Sequence, residues 1–174
     1  MKDRSLEAGL NAVEAKTPMD SPVIGRALIV RVGNRLVAIP LQQVVEVMRP
    51  LPAQALTAMP PAILGLATIR GHPIPVVELS CIVTGHAASR ISRYVLLRTG
   101  ANNARQAALA VERIEGISEL GSAHLAEMPP LFSASHAETV SALGTLDAQL
   151  LLVLHASRFV PEDVWKQLDQ SISQ

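Results

Sequence analysis

The side chain best placed to do chemistry in this 174-residue sequence is Arg70, a lone cation between two apolar runs, Ile63-Leu-Gly-Leu-Ala-Thr-Ile69 and Pro73-Ile-Pro-Val-Val77. Gly71 follows it at once. Glycine accepts the positive φ of a tight hairpin turn, so the chain reverses there and the guanidinium stands at a strand end. A guanidinium is a rigid fork of donors suited to a carboxylate or another acceptor on a partner, so the chemistry on offer is recognition. The other reactive side chains form no catalytic pattern. None of His72, His86, His124, His136 and His155 pairs at i, i+3 or i+4 with another ligand type in a helix, and no cysteine joins them, which speaks against a metal centre. There is no Gly-x-Ser-x-Gly nucleophile turn and no Walker-type phosphate loop. Asp147 with His155 would be an acid–base pair with no geometric support in the sequence. Neither an enzyme nor a cofactor is expected.

Composition narrows the partners. Hydrophobic residues make up 49% of the chain and furnish a core, but aromatics are 2%, so that core must be Leu, Val, Ile and Ala, and no base-stacking platform is available. Fifteen basic and fifteen acidic side chains cancel, which leaves no electrostatic footprint for nucleic acid or an anionic membrane. Proteins or neutral ligands are the expected partners. Cys81 stands alone, so there is no disulfide framework, and it reads as a small buried apolar residue. The N-terminal stretch mixes Lys2, Asp3, Arg4 and Glu7 without an apolar leader, and no run reaches the ~18 apolar residues of a membrane span. A cytoplasmic location without direct membrane insertion is expected.

The elements that must position Arg70 follow from periodicity. Residues 1–22 lack a sustained apolar face and read as a flexible tail ahead of a domain over 23–174. Ala27–Val32 and Arg35–Ile39 flank Gly33-Asn34, a hairpin signature. After Pro40 the period changes: Leu41, Val44, Val45 and Met48 fall at i, i+3, i+4, i+7, which predicts a short helix of about two turns before Pro50. A connector over 51–61 leads into the Arg70 hairpin, whose Pro75 suggests an edge strand or a bulge. Ser80–Ser89 reads as a linker. Tyr94–Thr99 and Ala107–Val111 form the next strand pair; after a polar stretch Val140–Leu146 and Leu150–Leu154 form another around Asp147-Ala148-Gln149. Pro161, Glu162 and Asp163 open a C-terminal helix over 161–171 with the apolar stripe Val164, Trp165 and Leu168.

The sequence also echoes itself. With Leu64 laid on Ser141, Leu66 meets Leu143, Thr68 meets Thr145, Val76 meets Val153, Ser80 meets Ser157 and Val83 meets Val160, without a gap. Leu28-Ile-Val-Arg-Val-Gly lies as naturally on Val95-Leu-Leu-Arg-Thr-Gly. Two similar β units follow, with approximate halves 23–85 and 86–160. Where the first carries Arg70-Gly71, the second carries Asp147-Ala148.

In order and spacing these segments resemble the CheW family, the adaptors that couple chemoreceptors to a histidine kinase. The family's Ile-x-x-Val-x-Glu-Ile segment is matched by Leu41-Gln-Gln-Val44-Val-Glu46-Val47, and its Gly-Val-x-Asn-Leu-Arg-Gly by Gly65-Leu-Ala-Thr68-Ile69-Arg70-Gly71. Its Gly-Leu-Gly and Leu-Ile-Leu pattern is approximated by Ala142-Leu143-Gly144 and Leu151–Leu154. The resemblance runs from Ala27 to Leu168. It implies a mainly β fold, two five-stranded SH3-like barrels packed around a hydrophobic groove, with no catalysis. It implies two partners, the cytoplasmic tip of a chemoreceptor and a CheA-type histidine kinase, met at membrane-associated receptor arrays. By match, Val44, Glu46, Gly65, Thr68, Arg70 and Gly71 correspond to the receptor-facing groove; no motif localises the kinase contact. Thr68 stands where asparagine is usual, Glu78 where aspartate is usual, and His72-Pro73 where β-branched residues are common. These departures suit a divergent, non-flagellar chemosensory pathway as well as an ordinary chemotaxis adaptor. The competing reading is a free-standing small-barrel module for an apolar ligand or an unrelated protein.

Overall fold

The computed structural model describes residues 25–121, 125–126, 140–155 and 158–172; the tail expected over 1–22 lies outside them. The strands, in chain order, are β1 Gly25–Val32, β2 Arg35–Pro40, β3 Val44–Met48, β4 Ala53–Gln54, β5 Ile63–Ile69, β6 His72–Glu78, β7 Arg93–Thr99, β8 Arg105–Val111, β9 Arg113–Leu120, β10 Leu125–Ala126, β11 Val140–Leu146 and β12 Gln149–Leu154. Two helices join them, α1 Leu79–Thr84 after β6 and α2 Glu162–Ile172 at the C-terminal end. One sheet runs β10-β11-β12-β2-β1-β9 and the other β3-β7-β8-β6-β5-β4. Each therefore has five longer strands and one of two residues, β10 or β4.

The internal echo is a structural repeat with exchanged strands. The β1–β2 hairpin lies in the first sheet, yet β3, which follows it, pairs with β7 of the second; the β7–β8 hairpin lies in the second sheet, yet β9 pairs back onto β1. Leu64 and Ser141, aligned by sequence, are both the extra residue of a bulge, since the register skips each of them. Val153 pairs in parallel with Ala38, and Val76 with Ala108. Neither sheet therefore coincides with one half of the chain. The first sheet is built from both ends of the chain, Gly25–Pro40 with Arg113–Leu154, and encloses the second sheet, Val44–Val111, in sequence.

Three apolar clusters account for the composition. One packs inside the first sheet around Ala27, Ile29, Ala38, Ala142 and Val153; a second packs inside the other around Ala67, Ile69, Val76, Leu96 and Ala108. The third joins the sheets, uniting Val30, Ile39, Val77, Leu97, Leu109 and Leu154 with Leu79 and Val83 of α1 and Val164, Trp165 and Leu168 of α2. Central strands are thus covered on both faces, which is why β1, β2, β7 and β8 read as continuous apolar runs rather than alternating ones. Alanines supply the small volumes that let the inner faces close together. Arg105 of β8 holds α2 by stacking 4.9 Å from the Trp165 ring while its Nη1 donates to Glu162 and its Nη2 to Asp169.

Three local expectations change. The predicted helix after Pro40 is one 3-10 turn, Leu41–Gln43, running into strand β3. Val44, Val45 and Val47 are β-branched, and pairing with β7 outweighs a periodicity that eight residues carry only weakly. The linker expected over 80–89 begins as α1, closed by Gly85 at φ 78 with its N–H on Cys81 O. Pro75 lies in neither an edge strand nor a bulge: β6 runs between β5 and β8, but its parallel pairing with β8 starts only at Val76, so the missing N–H breaks no bond. Strand β9 was not expected at all.

Both hairpin tips use two successive positive φ values, Arg70 (52°) with Gly71 (82°) and Asp147 (49°) with Ala148 (62°). The mirror-image turn requires this, and glycine meets the requirement at Gly71 but not at position 148. Ala148→Gly is therefore expected to stabilise the fold by about 0.5–1 kcal/mol, the left-handed penalty relieved less the extra chain entropy. A denaturant midpoint that fails to rise would show that the β11–β12 turn does not hold this geometry in solution.

Candidate functional site

The tip of β5–β6 and the edge strand β3 converge although they are far apart in the sheet. By hydrogen-bond order β3 lies three strands from β6, which in a flat sheet is roughly 14 Å. Yet Arg70 Nη2 donates to Glu46 Oε2 in a direct ion pair. The sheet must curl to bring them together, and Val45 and Met48 of β3 share an apolar cluster with Ala53, Leu64 and Ala67 of β4 and β5. The ion pair spans the seam of a curled, barrel-like sheet. With the Arg70 side chain 75% exposed, its contribution to stability is about 0–1 kcal/mol.

Arg70 itself sits in the left-handed region, at a backbone cost of about 1–2 kcal/mol that asparagine or glycine would lessen. The turn does not select arginine, so the guanidinium is there for its side chain. Only Nη2 is used by Glu46; Nε and Nη1 have no protein partner among the described residues. Thr68 and Gly71 are exposed beside it. Val44 is half-buried against the central cluster, with Leu41 and Leu66, and Val47 two residues beyond Val45 is 43% exposed. The predicted residues therefore divide. Glu46 and Arg70 meet directly, Thr68 and Gly71 complete the exposed tip, and Val44 forms an apolar margin.

Gly65 does something else. It is buried, at φ +135, and a Cβ built on it would stand 2.1 Å from Gln54 O and 2.6 Å from Gln54 C. Its place is beneath β4, where it lets two backbones touch, and its influence on the tip is through the path of β5.

Strand β9 supplies residues that the sequence reading passed over. By the repeat, Ile114 and Ile117 of β9 stand where Val44 and Val47 stand in β3: Ile117 pairs with Leu28 as Val47 pairs with Val95. Ile114 is half-buried against the central cluster, and Ile117 is 52% exposed on an edge strand. Carrying the alignment of Leu28 and Val95 on into the strand that follows each hairpin would have found them once the turn between β7 and β8, three residues longer than that between β1 and β2, was allowed for. The charges are not repeated, since Gly116 and Asp147 occupy the places of Glu46 and Arg70. Arg31 instead pairs with the bulge residue Glu115, and its hydrogen bond, more than any other cause, holds that carboxyl below its usual range.

Below the tip, buried Glu78 ends β6 and accepts hydrogen bonds from Ser80 Oγ (3.2 Å), Cys81 Sγ (3.6 Å) and the backbone N–H of Ala88. Cys81 is half-buried rather than fully enclosed, and burial first, then the neighbouring Glu78, pushes its thiol up, away from a reactive thiolate. Arg35 Nη1 donates to Val83 O at 2.9 Å and fastens the other end of α1 to the first sheet. No group of three or more His, Cys, Asp or Glu suited to a metal ion occurs among the described residues. No helix among them is long and apolar enough to cross a membrane.

The profile of the CheW-like domain matches residues 26–164. Among solved structures the chain is similar to the scaffolding protein TtCheW from Thermoanaerobacter tengcongensis, with 17% identity and a TM-score of 0.68 over 80% of this chain and 94% of that one. No curated protein sequence matches it.

Proposed function

The chain belongs to the CheW-like domain family, a family of scaffolds, and from that premise we propose that it is a non-catalytic adaptor coupling chemoreceptors to a CheA-type histidine kinase. Its place would be the cytoplasm, at receptor arrays. The observation that carries the reading furthest is the Arg70–Glu46 pair, because both residues were assigned to the receptor-facing groove from motif alone and the fold brings them into contact. Glu46 orients the guanidinium, and the free donors face outward beside the apolar margins of Val44 and Val47. A receptor helix would lay apolar side chains along β3 and set an acceptor against Arg70. Exposed Ile117 and half-buried Ile114 give β9, the counterpart of β3 in the repeat, an apolar edge of its own.

The test separates the partners. Arg70→Ala is expected to weaken binding to a chemoreceptor signalling tip by about 1–3 kcal/mol, the range of a charge-assisted contact. Arg70→Glu should lose more, since it adds repulsion toward Glu46 and toward an acceptor. Thermal unfolding should barely move, and affinity for the kinase's regulatory domain should survive both changes. Unchanged receptor affinity in folded variants would sink the assignment. Absence of binding to either partner by the wild-type chain would favour the free-standing binding module instead.

A further inference from the structure

Resting on that adaptor reading, we infer that Arg49 and Arg93 form a second recognition element at the end of β3, an unneutralised pair of guanidiniums that docks a carboxylate-bearing segment of the receptor tip. The neutral total of the chain hides a segregation of charge. Residues 47–111 hold six arginines, Arg49, Arg70, Arg90, Arg93, Arg98 and Arg105, against one carboxylate, that of buried Glu78. From residue 112 onward nine carboxylates face three cations. The second sheet is therefore the cationic part of the molecule, and a partner that lies along its β3 edge is selected for negative charge.

Two of those arginines face each other across the strands. Met48 pairs with Tyr94, and continuing that antiparallel register by one residue sets Arg49 opposite Arg93. Pro50 keeps the backbone of Arg49 extended, and the Tyr94 hydroxyl donates to Leu51 O at 3.2 Å, so the chain past Met48 stays beside β7. Both arginines are exposed, and neither has an ion pair among the described residues; Arg93 Nη1 donates only to the neighbouring Ser92 O, at 2.7 Å.

The repeat supplies the comparison. Val47 pairs with Val95 as Ile117 pairs with Leu28, which lays Arg49 on Glu119 and Arg93 on Arg26. Arg26 and Glu119 are cross-strand partners, so the same rung of the first sheet carries opposite charges. Like charges directly opposite destabilise a sheet, whereas opposite charges stabilise it. The second sheet thus keeps an unfavourable rung where its own repeat holds the favourable one, and it does so two residues beyond exposed Val47. A receptor segment laid along β3 past Val47 brings its carboxylate to both guanidiniums, and relieves their repulsion only when bound.

The experiment uses the full chain, a chemoreceptor signalling tip and Arg49→Glu, which rebuilds in the second sheet the opposite-charge rung of the first. Thermal unfolding should hold or rise slightly, whereas affinity for the tip should fall about tenfold at low salt, mostly through the association rate, and by less as salt is raised. Arg93→Glu should behave alike, and Arg49→Gln should lose less than Arg49→Glu. Receptor affinity and salt dependence unchanged in both charge reversals overturn the inference. So does a loss confined to the kinase's regulatory domain or to vesicles containing phosphatidylserine, which would assign the pair to another partner. A melting temperature lowered in both reversals would overturn it too, because the rung would then be structural. If Arg70→Ala still weakens receptor binding in any of these events, the adaptor reading stands and only the role of the arginine pair falls.

Discussion

Gly65→Ala is expected to destabilise the protein by about 3–5 kcal/mol and to weaken receptor binding only as a consequence. Two penalties add. The φ of +135 lies in a region essentially closed to residues with a Cβ, which costs of order 1–3 kcal/mol. The new methyl would also sit 2.1 Å from Gln54 O, and backbone of a paired strand cannot swing aside as the end of a side chain can. Relief requires β4 to lift from β5, and overpacking of this kind typically costs 1–3 kcal/mol. Urea unfolding should show the loss. Temperatures at which the variant remains fully folded should give receptor affinity close to wild type. A stable variant with weakened binding would return Gly65 to the docking surface itself.

Glu78→Ala is expected to cost about 2–4 kcal/mol, with the damage concentrated at α1 and the segment leading to β7. Its carboxylate receives three donors while only 3% of the residue is exposed, and hydrogen bonds to a buried charge are worth more than neutral ones. Removal strands the Ala88 N–H and the Ser80 hydroxyl. Glu78→Asp, the residue usual in the family, should fall between, because the shorter arm keeps its neighbour Ser80 but no longer reaches Ala88 ten residues on. Amide hydrogen exchange would check this: Ala88 should exchange faster in both variants, and α1 faster in Glu78→Ala. Protection at Ala88 that survives Glu78→Ala would show that the loop is held by something else.

These two residues mark the boundary of what could be read from the chain. The Arg70 turn, the Gly33-Asn34 hairpin, the β11–β12 hairpin and the C-terminal helix were legible because each is specified locally. Their signals are apolar runs of strand length, turn chemistry and an apolar stripe behind acidic first-turn residues, and each is local in the chain. The family motif then named Glu46 and Arg70 together. What failed was decided by distant partners. Leu41–Met48 carries a helical period and folds mostly as a strand because β7 lies open beside it. Strand β9, with its alternating Arg113, Glu115 and Glu119, resembles a solvated stretch until β1 pairs with it.

The sequence by itself determined the composition of the core, the turns, the repeat and the pair of residues at the tip, since a repeat and a motif are properties of order along the chain. Only the tertiary structure decided that the repeats trade strands, because exchange of β3 and β9 depends on which edge is free when the hairpins pack. It set the Glu46–Arg70 pair, which the family match had implied, across a curled seam, gave Gly65 its strand to accommodate, and gave Glu78 its donors. Ala142 occupies in the first sheet the place that Gly65 holds in the second, with the same register of short strand to long on either side. The sequence marks the difference as one methyl group, but nothing local says why only one of the two sites must lack it. The difference is how closely β4 approaches β5, a distance fixed by packing from the rest of the barrel.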